Sequence, residues 1–178
     1  METFENILVV SRSTQHCIRV LRKGISLARK YGQPLALSAK TSDVPGHSWI
    51  IPTLFAHAGI RFYHMGGPVV NRALGLPPFF WWEGPDGSRL LTLYNNGYGS
   101  DRLPPGDWPY KTWLYISMTG DNQGPPDPGT VARDIAFYKE KGLQATVGSM
   151  DDFAIRILKE DLSQLPVGAS WSVTVLKS

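Results

Sequence analysis

Two short apolar runs, Ile7-Leu8-Val9-Val10 and Leu35 to Ala39, bracket a stretch whose apolar positions recur at helical spacing. This arrangement constrains the fold more than any other feature. An apolar run without polar alternation is the mark of a strand buried on both faces. Between the runs, Cys17, Val20, Leu21, Ile25 and Ala28 fall on one side of a helix that Ser13 or Thr14 can cap. Gly32 and Pro34 stop it. Strand, helix, strand at this length is a βαβ unit with parallel strands.

The same alternation continues. Trp49 to Ala58 reads as a helix closed by Gly59, and Ile60 to Met65 as a third strand. Gly66 to Pro78 reads as loop. Phe79 to Glu83 and Arg89 to Tyr94 flank Gly84-Pro85-Asp86-Gly87, whose Pro and Asp-Gly supply hairpin turn geometry. A long irregular loop, Asn95 to Pro109, precedes an expected strand at Trp113 to Met118. Thr130 to Lys141 predicts an amphipathic helix, with Val131, Ile135 and Tyr138 on one side and Gly142 at its end. A short strand at Ala145 to Val147 follows. Ser149 then caps a helix expected to reach Gln164, with Asp151 and Asp152 in its first turn. Val173 to Leu176 reads as a last strand. The expected fold is therefore α/β, a mostly parallel sheet with flanking helices and one β-hairpin.

Composition narrows the functional classes. The chain has 178 residues, 18 Lys+Arg against 15 Asp+Glu, and one cysteine, Cys17. An internal disulfide and a Cys-x-x-Cys zinc site are both excluded. No run of 18 apolar residues occurs, so no membrane helix is expected. Met1 to Asn6 carries two Glu and no basic residue, unlike a secretory leader, and a cytoplasmic setting is the default expectation. Charge is uneven: residues 1–40 hold seven basic and two acidic residues, while residues 41–129 hold 13 of the 18 Gly and 12 of the 14 Pro. Without a recognition motif or interleaved aromatics, the basic segment reads as a solvated helix face, with neither nucleic acid nor membrane as partner.

In parallel α/β folds, reacting groups gather at the carboxyl ends of strands. That rule singles out Asp43, His64 and Asp121, each at or just past an expected strand end. Two carboxylates can flank a glycosidic bond, and Asp43 with Asp121 could supply such a pair. His47 or His64 could join Asp43 at a metal. Phe79, Phe80, Trp81 and Trp82 form an aromatic block beside the same rim, and flat apolar rings suit sugar C–H faces. Each residue also has a plain structural reading. Asp43, and Asp121 with Asn122, can be turn residues; His64 can be a hydrogen-bonded strand histidine; the aromatic block can be core.

Several ordered motifs carry a resemblance. Thr41-Ser42-Asp43-Val44-Pro45-Gly46-His47 is followed by Ala58-Gly59-Ile60-Arg61-Phe62-Tyr63-His64-Met65-Gly66. Pro77-Pro78-Phe79-Phe80-Trp81-Trp82, Gly84-Pro85-Asp86-Gly87-Ser88, Tyr98-Gly99 and Gly120-Asp121-Asn122-Gln123-Gly124-Pro125-Pro126 come after. Together they resemble the α-mannosidase-like proteins of glycoside hydrolase family 38, over roughly residues 37–166. The resemblance implies part of an incomplete (β/α) barrel and retaining hydrolysis of α-linked sugars. It implies Asp43 as nucleophile and zinc ligand, with His47 a further metal candidate. Asp121 is then the candidate acid/base, and His64, Trp81, Trp82 and Asn122 are expected to contact a carbohydrate substrate. The family's His-x-Asp metal motif is absent from the 42 residues before Asp43, and no His follows His64, so zinc would be held by an incomplete set and the domain could be inactive.

The N-terminal segment resembles something else. Phe4-Glu5-Asn6-Ile7-Leu8-Val9-Val10-Ser11-Arg12, then Gly24-Ile25-Ser26-Leu27-Ala28-Arg29-Lys30-Tyr31-Gly32, is similar to the first strand and helix of universal stress proteins. That implies an alternative function as a nucleotide-binding or stress-response module without catalysis. The expected organisation is a stress-protein-like segment at 1–36, a mannosidase-like partial barrel at 37–166, and a tail or strand at 167–178. An open sheet edge would also be compatible with a homo-oligomer.

Overall fold

A computed structural model describes residues 14–42, 44, 47–67, 77–119 and 123–168. The expected strands at Ile7 to Val10 and Val173 to Leu176 lie outside these residues. Helix α1 (Thr14–Lys30) opens the described chain and leads to β1 (Ser38–Ser42), α2 (Ile51–His57) and β2 (Phe62–Gly67). The hairpin β3 (Phe79–Glu83) and β4 (Arg89–Asn96) comes next, followed by α3 (Thr130–Glu140), α4 (Met150–Ile157) and β5 (Val167–Gly168). The five strands form one sheet in the order β1-β2-β4-β3-β5. All neighbours are parallel except the β3–β4 hairpin. The chain is thus α/β with a mostly parallel sheet and helices on its faces.

Pleating divides the core into two layers. Tyr63, Met65, Phe80, Trp82 and Leu90 point to one face, where Ile51, Leu54 and Phe55 of α2 cover them and α1 contributes Cys17 and Leu21. Phe62, Phe79, Leu91 and Leu93 point to the other, against Phe153, Ala154 and Ile157 of α4. Helices α1, α2 and α3 end alike. Gly32, Gly59 and Gly142 take positive φ, and the following residue reaches back five positions, as in Gln33 N–H to Ala28 O (2.8 Å) and Ile60 N–H to Phe55 O (2.9 Å). This closure satisfies orphan helix carbonyls and needs a residue without Cβ strain. Helix α4 starts with a reciprocal cap between Ser149 and Asp152. Its neighbour Asp151 reaches across to β1, accepting from Leu37 N–H (3.1 Å) and the Ser38 hydroxyl (2.5 Å).

The hairpin turn is built by Asp86. Its carboxylate accepts from Ser88 N–H (3.0 Å) and the Thr53 hydroxyl of α2 (2.6 Å) and pairs with His57 (3.0 Å). One side chain therefore shapes the turn and docks α2 on it.

Several sequence expectations shift. β1 runs Ser38–Ser42 rather than Leu35 to Ala39, because pairing with β2 sets its register from Ser38 opposite Phe62 to Ser42 opposite Gly66. Leu35 is exposed. β2 extends to Gly67, so His64 sits in mid-strand and not at its end. Trp113 to Met118 is not a strand. Instead of a ladder, its backbone is stitched by one residue: Ser100 Oγ donates to Leu114 O (2.7 Å) and accepts from Ile116 N–H (2.7 Å). Ala145 to Val147 is not a strand either, and Val147 is 74% exposed. α4 stops at Ile157, short of Gln164, where tight turns bring Leu162 back into the core. α3 forms as expected but buries none of its residues, and Val131 and Ile135 stay exposed. It is held by polar contacts: Arg102 pairs with Asp134 (2.5 Å), stacks on Phe137 (3.7 Å) and accepts at its carbonyl from Tyr138 (2.5 Å).

Candidate functional site

The carboxyl ends of β1, β2 and β4 point the same way, and polar side chains collect there. On the α4 face, alternation along β1 sends Lys40 and Ser42 outward from the same side as His64 of β2 and Asn95 of β4. Lys40, His64 and Asn95 are buried. Lys40 Nζ donates to Ser42 Oγ, and His64 Nε2 lies 3.2 Å from Asn95 Oδ1. The Gly99 backbone is a second hydrogen-bonding neighbour of the ring. Burial lowers the His64 pKa to about 4, with the Lys40 charge acting in the same sense and the hydrogen bonds to Asn95 and to the Gly99 backbone in the opposite one. His64 is therefore neutral near pH 7. Glycines let the backbone close tightly over this end: a Cβ on Gly66 would stand 2.6 Å from Gly97 O, and one on Gly99 would stand 2.4 Å from Ile116 O.

A second polar group lies on the α2 face, through the sheet from the first. Thr41 Oγ1 is 2.5 Å from Tyr63 Oη and 3.0 Å from His47 Nε2. The His47 ring meets Tyr63 and Trp82 edge-on, with centroids 5.9 and 6.3 Å away. Burial lowers the His47 pKa to about 4 and drives that of Tyr63 upward. Thr41 Oγ1 thus links the Tyr63 hydroxyl to Nε2 of a neutral His47.

The expected site residues separate accordingly. His47 and His64 address opposite faces of the sheet, so the two rings do not meet at one ion. Among the described residues, no three of His, Cys, Asp and Glu converge to hold a metal. With His47 Nε2 engaged by Thr41, the described donors do not make a zinc site. Asp43, Asp121 and Asn122 lie outside the described residues. The aromatic block does not form one platform, because alternation places Phe79 and Trp81 on the α4 face and Phe80 and Trp82 on the α2 face. Trp82 is core, and Trp81, half-buried, donates to Leu162 O (3.4 Å). His64 has no exposed surface. Reading the sequence alone missed Lys40 and Asn95. The strand-end rule that chose Asp43 also covers Asn95, one residue past the expected strand Arg89 to Tyr94.

Comparison of the chain with protein-family models and with curated proteins gives no match.

Proposed function

We propose that the carboxyl end of β1, β2 and β4 underlies a carbohydrate site, and that the chain is a glycoside hydrolase-like domain acting with retention on α-linked sugars. One observation carries this reading: on the α4 face, buried Lys40, His64 and Asn95, with half-buried Ser42, form a polar cluster that runs from the middle of β1 and β2 to the carboxyl end of β4. Buried polar atoms cost about 1–3 kcal/mol each when unpaired, so a cluster of them needs every partner satisfied. An apolar set would serve stability better. Asp43 follows Ser42 directly in the chain, so the cluster lies at the base of the segment that carries the candidate nucleophile.

In this reading Asp43 attacks the anomeric carbon and the leaving oxygen takes a proton from Asp121. The resulting glycosyl ester is then opened by water that Asp121 deprotonates. Lys40 and Asn95 set the polarity of the sheet just before Asp43 in the chain, and His64 is a positioning residue that holds Asn95. No step runs through a metal.

The full chain incubated with an aryl α-mannoside, with and without added zinc, tests the proposal. Phenol release is expected to fall at least about 1,000-fold in Asp43→Asn, as for loss of a covalent nucleophile. The far-ultraviolet circular dichroism of that variant should stay unchanged. Absence of turnover under both conditions, or turnover that Asp43→Asn leaves intact, refutes it.

A further inference from the structure

Helix α1 reads Thr-Gln-His-Cys-Ile-Arg-Val-Leu-Arg-Lys-Gly-Ile-Ser-Leu-Ala-Arg-Lys and contains five cations and no acidic residue. At 100° per residue, Arg19, Arg22, Lys23, Arg29 and Lys30 fall within roughly 120° of its circumference. The opposite side faces the core through Cys17 and Leu21. None of the ion pairs among the described residues involves any of the five. The helix holds a charge of +5, while the rest of the chain has thirteen basic and fifteen acidic residues. Just past the last cation, Tyr31 is 66% exposed, and Lys30 Nζ lies 5.4 Å from its ring centre.

We propose that this face binds the phosphate backbone of single-stranded nucleic acid, with Tyr31 as a stacking platform for one base. This reverses the expectation, drawn from sequence, of a solvated face with no nucleic-acid partner. Two features select the partner. A face of one sign fits a polyanion, since Arg forks and Lys ammonium groups pair with phosphates. An exposed aromatic ring at the end of a cationic row is the arrangement on which unpaired bases stack. A lipid surface fits less well. The apolar stripe of α1 is spent on the core, and the partly exposed Ile18 and Leu27 flank the cationic arc on opposite sides, so no continuous apolar face is left to insert.

The test uses the full chain and a fluorescent 20-nucleotide oligouridine, read by anisotropy. With four phosphates neutralised, affinity is expected to fall about 50-fold between 50 and 200 mM salt. The double variants Arg19→Gln/Lys23→Gln and Arg22→Gln/Arg29→Gln should each reduce that dependence to about 7-fold. Tyr31→Ala should weaken binding at least about 5-fold at every salt concentration while leaving the salt dependence unchanged. No binding at 50 mM salt, or wild-type salt dependence in both double variants, overturns the proposal. So does binding to phosphatidylserine vesicles without binding to the oligonucleotide, which would assign the face to a membrane.

Discussion

Lys40 of β1 and His64 of β2 are register partners on one face of the sheet, and both side chains are enclosed there. A cation beside a buried imidazole leaves the ring little reason to take a proton. His47, on the other face, is held neutral by burial alone.

This predicts a pH dependence with a defined sign. Each ring titrates at about 4 in the folded chain against 6.5 when unfolded. Between these values the unfolded chain binds more protons, so stability rises with pH. The contribution is fully present above pH 6.5 and is lost as pH falls toward 4, on the order of 3 kcal/mol per ring. Urea midpoints at pH 7, 6 and 5 should fall in that order, and His47→Gln or His64→Gln should flatten the trend. A midpoint constant across this range contradicts the assignment. Asp86, held low first by the Thr53 hydroxyl, acts in a separate window below its ordinary value of 3.8.

The hairpin supplies a packing prediction. A Cβ on Gly84 would stand 2.4 Å from Thr53 Oγ1 and 2.9 Å from Thr53 N, in the first turn of α2. Gly84→Ala must push the helix off the turn, at about 1–3 kcal/mol. Gly106→Ala meets nothing within 4 Å and serves as the control, with little expected change. Thermal melts of the two variants compare them directly. Equal melting temperatures would mean that α2 does not sit against the hairpin.

A longer-range contact can be tested at Asp151. It ties the start of α4 to Leu37 and Ser38, more than 110 residues away in sequence. Asp151→Ala leaves the Leu37 N–H without its acceptor and should cost about 1–2 kcal/mol. Amide exchange at Leu37 and Ser38 should accelerate ahead of exchange in β2. Uniform exchange rates across β1 and β2 would show that the tie does not order β1.

What the sequence disclosed and what it hid follow the range of the interactions. The turn at Gly84 to Gly87 and the helix stops at Gly32, Gly59 and Gly142 are decided within a few residues, and all were readable. The Ser149 cap was readable for the same reason. Trp113 to Met118 and Ala145 to Val147 have strand composition, but a strand needs a partner, and pairing is decided by the whole chain. Trp81 and Trp82 looked like one surface because the expectation grouped them by proximity, whereas the pleat separates neighbours to opposite faces. Lys40 escaped notice because a lysine in a strand reads as solvent-facing, and only the register with β2 places it beside His64. Of the candidate residues, His47, His64, Trp81 and Trp82 can be placed; Asp43, Asp121 and Asn122 lie outside the described residues.

Trp82 allows a test of how its layer is packed. Its Nε1 is buried and has no acceptor, whereas the neighbouring Phe80 on the same face has no polar atom to satisfy. Trp82→Phe removes an unsatisfied donor, a gain of about 1–3 kcal/mol, and leaves a small void with a cost of similar size. The net change should stay within about 1 kcal/mol. Phe80→Ala has no such offset and should cost about 3–5 kcal/mol. Chemical denaturation of both variants measures the difference. A Trp82→Phe loss as large as that of Phe80→Ala would mean that the indole N–H makes a bond in solution, and the α2 face would then hold a polar contact at Trp82 in addition to the Thr41, Tyr63 and His47 group.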